Sequence, residues 1–344
     1  MVDLQTLTRL EDVIPELASK RVVFVGENHD RLEHHLAQLA IIARLYARNP
    51  RLAIGMEFFQ VPFQPYLDEY VAGRLDDRTL LKHTEYFDRW RFDYRLYQPI
   101  LQFAQAHRIP VIALNVAQEL VDKVSRSGLE SLTPDERAQV PARIDQADAR
   151  YRERLRRVFE QHPGSEAKDF ERFVEVQLLW DESMAEVAAR YLGAHPTRSL
   201  VVLAGNGHVT FGLGIPRRLK RRLGVASAVI ATGTENDGIE PGMADYLMLP
   251  APQQLPPAGR LGALLEVSGH GVRIESLNKG SAAGAAGVQA GDRVVAVDGR
   301  PVDRVADIKI ALWDKQRGDR VVLRVRRSRH LFGQDDLDFS VELH

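Results

Sequence analysis

Five short apolar runs, each cut off by a turn residue or a polar cluster, limit most strongly what this chain can fold into. They are Arg21–Val25 (RVVFV), Leu52–Met56 (LAIGM), Val111–Leu114 (VIAL), Ser199–Ala204 (SLVVLA) and Ala228–Ala231 (AVIA). Runs this short are strand-sized, and apolar residues at every position rather than every second one fit strands covered on both faces. Stretches of helical periodicity separate them, beginning with residues 31–47. A long charged helical stretch, roughly 117–193, lies between the third and fourth runs. The reading is an α/β fold: a mostly parallel sheet with helices on both faces and a long helical insertion.

A polar cluster follows four of the runs. Gly26-Glu27-Asn28-His29 follows the first, Glu57-Phe58-Phe59 the second, Asn115 the third, and Gly205-Asn206-Gly207-His208 the fourth. In an open parallel sheet the carboxyl ends of the strands share the edge where ligands bind. Glu27, His29, Glu57, Asn115 and His208 are therefore expected to converge. Asp30 followed by Glu33 reads as a capping box, which leaves His29 in the loop before the helix. Glu27, His29, Glu57 and His208 are a credible divalent-metal set, since imidazole and carboxylate suit Zn, Mn or Fe. A metal-bound water there would serve a hydrolase, with Glu27 or Glu57 as general base. The competing reading is that the two glutamates only satisfy backbone N–H groups or arginines at the sheet edge.

Residues 86–97 (YFDRWRFDYRLY) hold six of the chain's 25 aromatic residues, interleaved with Arg89, Arg91 and Arg95. Rings and guanidinium groups together suit a flat anionic ligand such as haem, and a tyrosine can ligate ferric iron. The plainer reading is a loop and helix start packed on a core. A basic run, Pro216-Arg217-Arg218-Leu219-Lys220-Arg221-Arg222, reads as a solvated helix face opening on proline, or as a phosphate or membrane contact.

The chain contains no cysteine, which excludes disulfides, thiolate metal sites and a cysteine nucleophile. Any haem or metal must then be held by Tyr, His or carboxylate. With 46 Lys and Arg against 47 Asp and Glu, global charge gives no argument for nucleic acid. No apolar run reaches the ~20 residues of a membrane helix.

Residues 232–262 are rich in Gly and Pro, and the sequence changes character beyond them. Strands are expected at Ala263–Val267, Val272–Leu277, Arg293–Val297, Arg320–Arg326 and Leu337–Leu343, and a helix at Asp303–Asp314. The phrase GVRIESLNKGSAAGAAGVQAGDRVVAVDGRPV, with its Gly280-Ser281-Ala282-Ala283, Ala290-Gly291-Asp292 and Asp298-Gly299 steps, resembles a bacterial PDZ domain. That resemblance implies a small β-rich α+β fold that adds a peptide strand to a sheet edge. It also implies that Arg260, Leu261, Gly262 and Ala263 form the loop capping the peptide carboxylate. The expected domains are residues 1–245, a linker at 246–259, and the PDZ domain at 260–344.

The phrases VFVGENHDRLEHH, GMEFFQ, FDYRLYQPILQFAQAHRIPVIALNV, SRSGLESL and LAGNGHVTFGLGIPRRL, in this order across residues 23–219, resemble the ChaN-like haem-binding uptake family of the Tiki superfamily. The resemblance implies haem binding linked to bacterial iron uptake at the cell envelope, as a homodimer. On that basis Tyr94 or Tyr97 is the expected iron ligand, with His29, His34 or Arg95 near the propionates. The wider superfamily implies hydrolases built on two Gly-x-x-His motifs, here Gly26–His29 and Gly205–His208. A third reading is a PDZ adaptor whose first domain is non-catalytic. The resemblance points to envelope or periplasm; the chain as given, with no signal peptide and no lipobox cysteine, reads as cytoplasmic.

Overall fold

The computed structural model describes residues 8–145, 149–160, 169–234, 238–269, 271–328 and 333–344. The chain divides into two compact units: Met1–Leu75 with Gln98–Gln253, and Asp76–Tyr97 with Gln254–His344. The two are described separately.

The first unit is built on six strands: β1 (Val22–Glu27), β2 (Leu52–Gln60), β3 (Val111–Asn115), β4 (Ser199–Gly205), β5 (Ser227–Thr232) and β6 (Tyr246–Met248). They lie in the order β3-β2-β4-β1-β5-β6, every neighbouring pair parallel. The five apolar runs are the first five strands. All residues of β1, β2 and β3 are buried, as helices on both faces require. On one face Met184, Ala185, Ala188 and Leu192 of the Phe170–Ala194 helix, with Ile215 and Leu219 of the Ile215–Leu223 helix, pack against Val22, Phe24, Leu200 and Val202. The Leu32–Arg48 helix buries Ala37, Ile41, Ile42 and Leu45, and its Gln38 side chain donates to the β1 carbonyl of Val25 at 3.1 Å.

Three local features differ from the sequence expectation. First, β6 falls inside the stretch read as linker; it is three residues long, half-buried and flanked by Gly and Pro, so no periodicity marks it. Second, Asp30 does not cap the helix after β1. That helix starts after Arg31 without a side-chain cap. The turn before it is closed by the Arg31 N–H on the Asn28 carbonyl, and His34 Nδ1 accepts the Asn28 N–H at 3.0 Å. Third, residues 76–97, read with the first domain, belong to the second unit.

The second unit contains β7 (Ala263–Ser268), β8 (Gly271–Leu277), β9 (Arg293–Val297), β10 (Arg300–Pro301), β11 (Arg320–Ser328) and β12 (Gln334–Glu342). The antiparallel order is β12-β11-β9-β8-β7, with β10 on β9 and β7 at the edge. Val272, Ile274, Val294, Val297, Leu323 and Val325 form its core with Ile308 and Ala311 of the Val305–Leu312 helix. Gly287 and Gly291 hold φ of 99° and 92°, a region that side chains resist, which accounts for glycine at both turns. The aromatic segment packs here: Tyr94 lies edge-on to Trp313 at 5.2 Å, and Arg78 binds Asp314 through two contacts of 2.6 Å and the Ile310 carbonyl at 2.5 Å.

Candidate functional site

The strand-end residues come together. Glu27 closes β1 and is buried; its Oε1 pairs with His29 Nδ1 at 2.5 Å. Its other oxygen lies 3.5 Å from His35 Nε2. Glu57 sits where the register of β2 against β3 shifts between Met56 and Gln60. Such an irregularity re-aims a side chain, and Asn115 Nδ2 fixes the backbone there by donating to the Glu57 carbonyl at 3.1 Å. Glu57 Oε2 accepts the Gly205 N–H at 2.7 Å, across 148 residues of sequence. Glu57 Oε1 lies 3.4 Å from His208 Nε2.

The other nitrogen of His208 pairs with Asp181 at 2.7 Å. Asp181 and Glu182 are fully buried on the Phe170–Ala194 helix. The Tyr151 hydroxyl donates to Asp181, and Arg218 lies 3.2 Å from Glu182. Arg221 and Arg222 also close on Glu182, at 2.7 and 2.5 Å. Three cations of the basic run thus serve one buried carboxylate inside the fold.

These contacts move the titrations. Burial works against a charged His208, but the charges of Glu57 and Asp181 and the Asp181 hydrogen bond raise its pKa to about 9. His29 is likewise raised: burial lowers it, but the Glu27 hydrogen bond and the charges of Glu57 and Glu27 prevail. His35 is lowered by burial despite Glu27, and burial lowers His34 as well. Burial and then the Asp181 charge push Tyr151 well above the ordinary phenol range.

Of the residues singled out in the sequence, Glu27, His29, Glu57, Asn115 and His208 converge. His34 does not join them; its ring is buried and holds the Asn28 backbone. Tyr94, Tyr97 and Arg95 lie in the second unit. Both tyrosines are buried, at 0 and 1% exposure. The Tyr94 hydroxyl donates to Asp77 at 2.6 Å, and Arg95 clamps Asp93 at 2.6 Å. Asp181, Tyr151 and His35 were not singled out. One signal was available: Asp181-Glu182 interrupts an apolar helical pattern, Leu178-Leu179-Trp180 before and Met184-Ala185 after.

Among the described residues no three His, Asp or Glu are placed to hold a metal ion. The donors are instead spent on one another and on backbone. A cavity of about 400 Å³ in the same unit is lined by Arg150, Arg154, Arg157 and Phe211. Arg154 donates to Thr210 Oγ1 at 2.7 Å and lies 4.7 Å over the Phe211 ring.

The sequence profile of a family described as haem-binding uptake, Tiki superfamily, ChaN, matches residues 13–219. The chain belongs to this family. A PDZ-domain profile matches residues 259–343, so a PDZ domain follows the family's domain. ChaN of Campylobacter jejuni, a structure described as cofacial haem binding, matches with a TM-score of 0.58 and 17% identity, covering 71% of this chain and 92% of that one. The type III effector HopBA1 gives a TM-score of 0.42 at 13% identity, covering 73% and 100%. An erythromycin esterase EreC mutant gives 0.40 at 17%, covering 66% and 74%. No curated protein matches. The ChaN likeness shows the family's fold; the two weaker ones carry no argument.

Proposed function

We propose that the chain binds haem through its first unit and peptide C-termini through its PDZ domain, as part of haem-iron uptake at the bacterial cell envelope. The observation that carries the haem reading is the His29–Glu27 pair, in a chain of the haem-binding family. His29 is held at 2.5 Å by a buried carboxylate, while its own side chain stays 28% exposed at the sheet edge. A carboxylate on one imidazole nitrogen fixes the ring and strengthens the other nitrogen as an iron ligand. The donor set therefore fits haem iron. In the same unit a cavity brings Arg150, Arg154, Arg157 and Phe211 together, cations and a ring of the kind that propionates and a flat ring would meet, with Glu153 and Glu240 also in its wall. Haem, when bound, supplies an iron and a conjugated macrocycle; the chain supplies donors, cations and shelter from water. Tyr94, Tyr97, His34 and Arg95 are weaker candidates, because reaching haem would break the packing and bonds they already hold.

Ferric haem titration tests this. A saturable Soret shift at micromolar protein is expected, and its absence overturns the reading. His29→Ala should weaken binding at least about tenfold, with Tyr94→Phe and Tyr97→Phe near wild type; the opposite pattern moves the ligand to tyrosine. A homodimer formed around haem is part of the proposal, and light scattering with and without haem checks it.

For peptide binding, the support is the loop before β7. Among the described residues the Leu261 and Gly262 N–H groups have no acceptor, beside a cavity of about 480 Å³ between β7 and the Val305–Leu312 helix. Such groups suit a terminal carboxylate.

A second reading, a metal-dependent hydrolase, draws on one observation: His208 lies between Asp181 and Glu57. With its pKa at about 9, His208 is a cation at neutral pH, so it would stabilise charge or donate a proton, leaving the base to Glu57 or Glu27. A divalent metal would need Glu27, His29, Glu57 and His208 to leave their present partners. Elemental analysis of chelator-free protein decides; metal that His208→Ala leaves unchanged counts against this reading. If haem and metal both fail while peptides bind, the chain is a PDZ adaptor.

A further inference from the structure

The cavity beside β7 is not made by the PDZ domain alone. Leu261, Leu265, Ile308 and Leu312 give it an apolar floor, and Phe87, Arg91 and Asp93, from the inserted segment of the same unit, form part of its wall. We infer that this wall makes the groove selective for C-terminal peptides with an apolar last residue and an acidic residue shortly before it. The inference rests on the peptide-binding reading above and names the partner's chemistry.

Charge carries the argument. Arg91, Arg260 and Lys309 stand at the cavity, and among the described residues none of them has a carboxylate partner. Elsewhere in this unit arginines find one: Arg78 with Asp314, Arg304 with Asp88, Arg273 with Glu266, Arg324 with Asp338, Arg326 with Asp336 and Arg327 with Asp292. Asp93, the one acid in the cavity wall, is already clamped by Arg95. The cavity is therefore left cationic in a unit where most of the other arginines are paired with a carboxylate.

The backbone agrees. Arg91 holds φ of 71°, a left-handed conformation that glycine would take without strain. The chain keeps an exposed arginine there instead. Lys309 lies 5.9 Å from the Phe87 ring, which ties the helix side of the groove to the inserted segment. An extended peptide pairing with the edge strand β7 would pass between these cations, with its last side chain on the apolar floor and its carboxylate at the Leu261-Gly262 N–H groups.

The test uses the full chain and fluorescent decapeptides ending in valine. One carries glutamates at the two to four positions before the valine, a second carries alanines there, a third lysines, and a fourth is the glutamate peptide with an amidated C-terminus. The glutamate peptide should bind about fivefold to tenfold more tightly than the alanine one, and the lysine peptide more weakly. The preference should shrink as salt rises. Arg91→Glu should remove the preference for the glutamate peptide over the alanine one, and should improve binding of the lysine peptide relative to both. Equal binding of the glutamate and alanine peptides overturns the inference and leaves peptide binding standing. If no free-acid peptide binds better than the amidated one, the peptide-binding reading itself fails. If Arg91→Glu keeps the wild-type preference, the inserted segment does not set it.

Discussion

His208 is held by Asp181 at 2.7 Å and Glu57 at 3.4 Å, and this couples its titration to the fold. Its pKa rises from the ordinary 6.5 to about 9 on folding. A group raised in the folded state stabilises fully below its unfolded value, and that stabilisation is lost as pH climbs through the folded one. The chain should therefore lose stability between pH 6.5 and about 9, by up to about 3 kcal/mol. Urea midpoints across that range measure it, and a His208→Gln variant should flatten the slope; an equal slope in both assigns the loss elsewhere. Gly205 stands against the ring of His29. Its φ of −56° suits any residue, but an added Cβ would lie 3.0 Å from His29 Cε1 and 3.3 Å from its Nε2. Gly205→Ala should keep the fold and weaken haem binding about tenfold by tilting His29. Unchanged affinity with an unchanged melting temperature would remove His29 from the site. Glu27, His29, Glu57 and His208 were legible in the sequence because each closely follows an apolar run, and a parallel sheet gathers such positions. Asp181 was not, because in mid-helix a carboxylate looks like solvent-facing charge.

At the scale of elements, the Ile215–Leu223 helix shows why a basic run is a poor guide by itself. Arg218 is buried against Glu182, and Arg221 and Arg222 reach the same carboxylate from positions 28 and 16% exposed. Burial alone would raise the Glu182 pKa; the Arg221 and Arg222 hydrogen bonds bring it below the ordinary range instead. Removing one partner of a buried pair leaves the other uncompensated, at a cost of about 3–5 kcal/mol. Glu182→Ala should therefore lower unfolding free energy by about 3 kcal/mol or more, whereas Arg221→Ala should cost about 1 kcal/mol because water can replace it. A Glu182→Ala loss under 1 kcal/mol would mean that apolar contacts alone dock this helix. The element pattern itself was legible where strands are long and apolar. It was not at β6, whose three residues pair with β5, nor at the start of the helix after β1, which has no side-chain cap and where His34 instead holds the Asn28 N–H of the preceding turn.

For the whole molecule, the sequence order of the family's domain is not the order of its packing. The profile match runs through residues 76–97, yet these residues complete the second unit. Their aromatic density had invited a ligand-binding reading, because composition cannot tell a ring that meets haem from a ring that meets Trp313. In this structure the segment packs within its own unit: Leu80, Leu81, Tyr86 and Tyr94 are all buried, and Arg78 is bound to Asp314 and to the Ile310 carbonyl. A fragment of residues 1–253 keeps this segment and removes its partners. It should then expose several large apolar side chains at once, each worth about 1.5–3 kcal/mol when buried. The expected outcome is a fragment with the far-UV signature of an intact parallel α/β sheet that nevertheless binds a hydrophobic dye. Limited proteolysis should cut it within residues 76–97, at sites protected in the full chain. Trp90, which lies in the segment, gives an independent reading: its emission should shift to the red in the fragment. A fragment as protease-resistant and as blue in emission as the full chain would show that the segment packs without the PDZ domain, and would take the inserted wall away from the peptide groove.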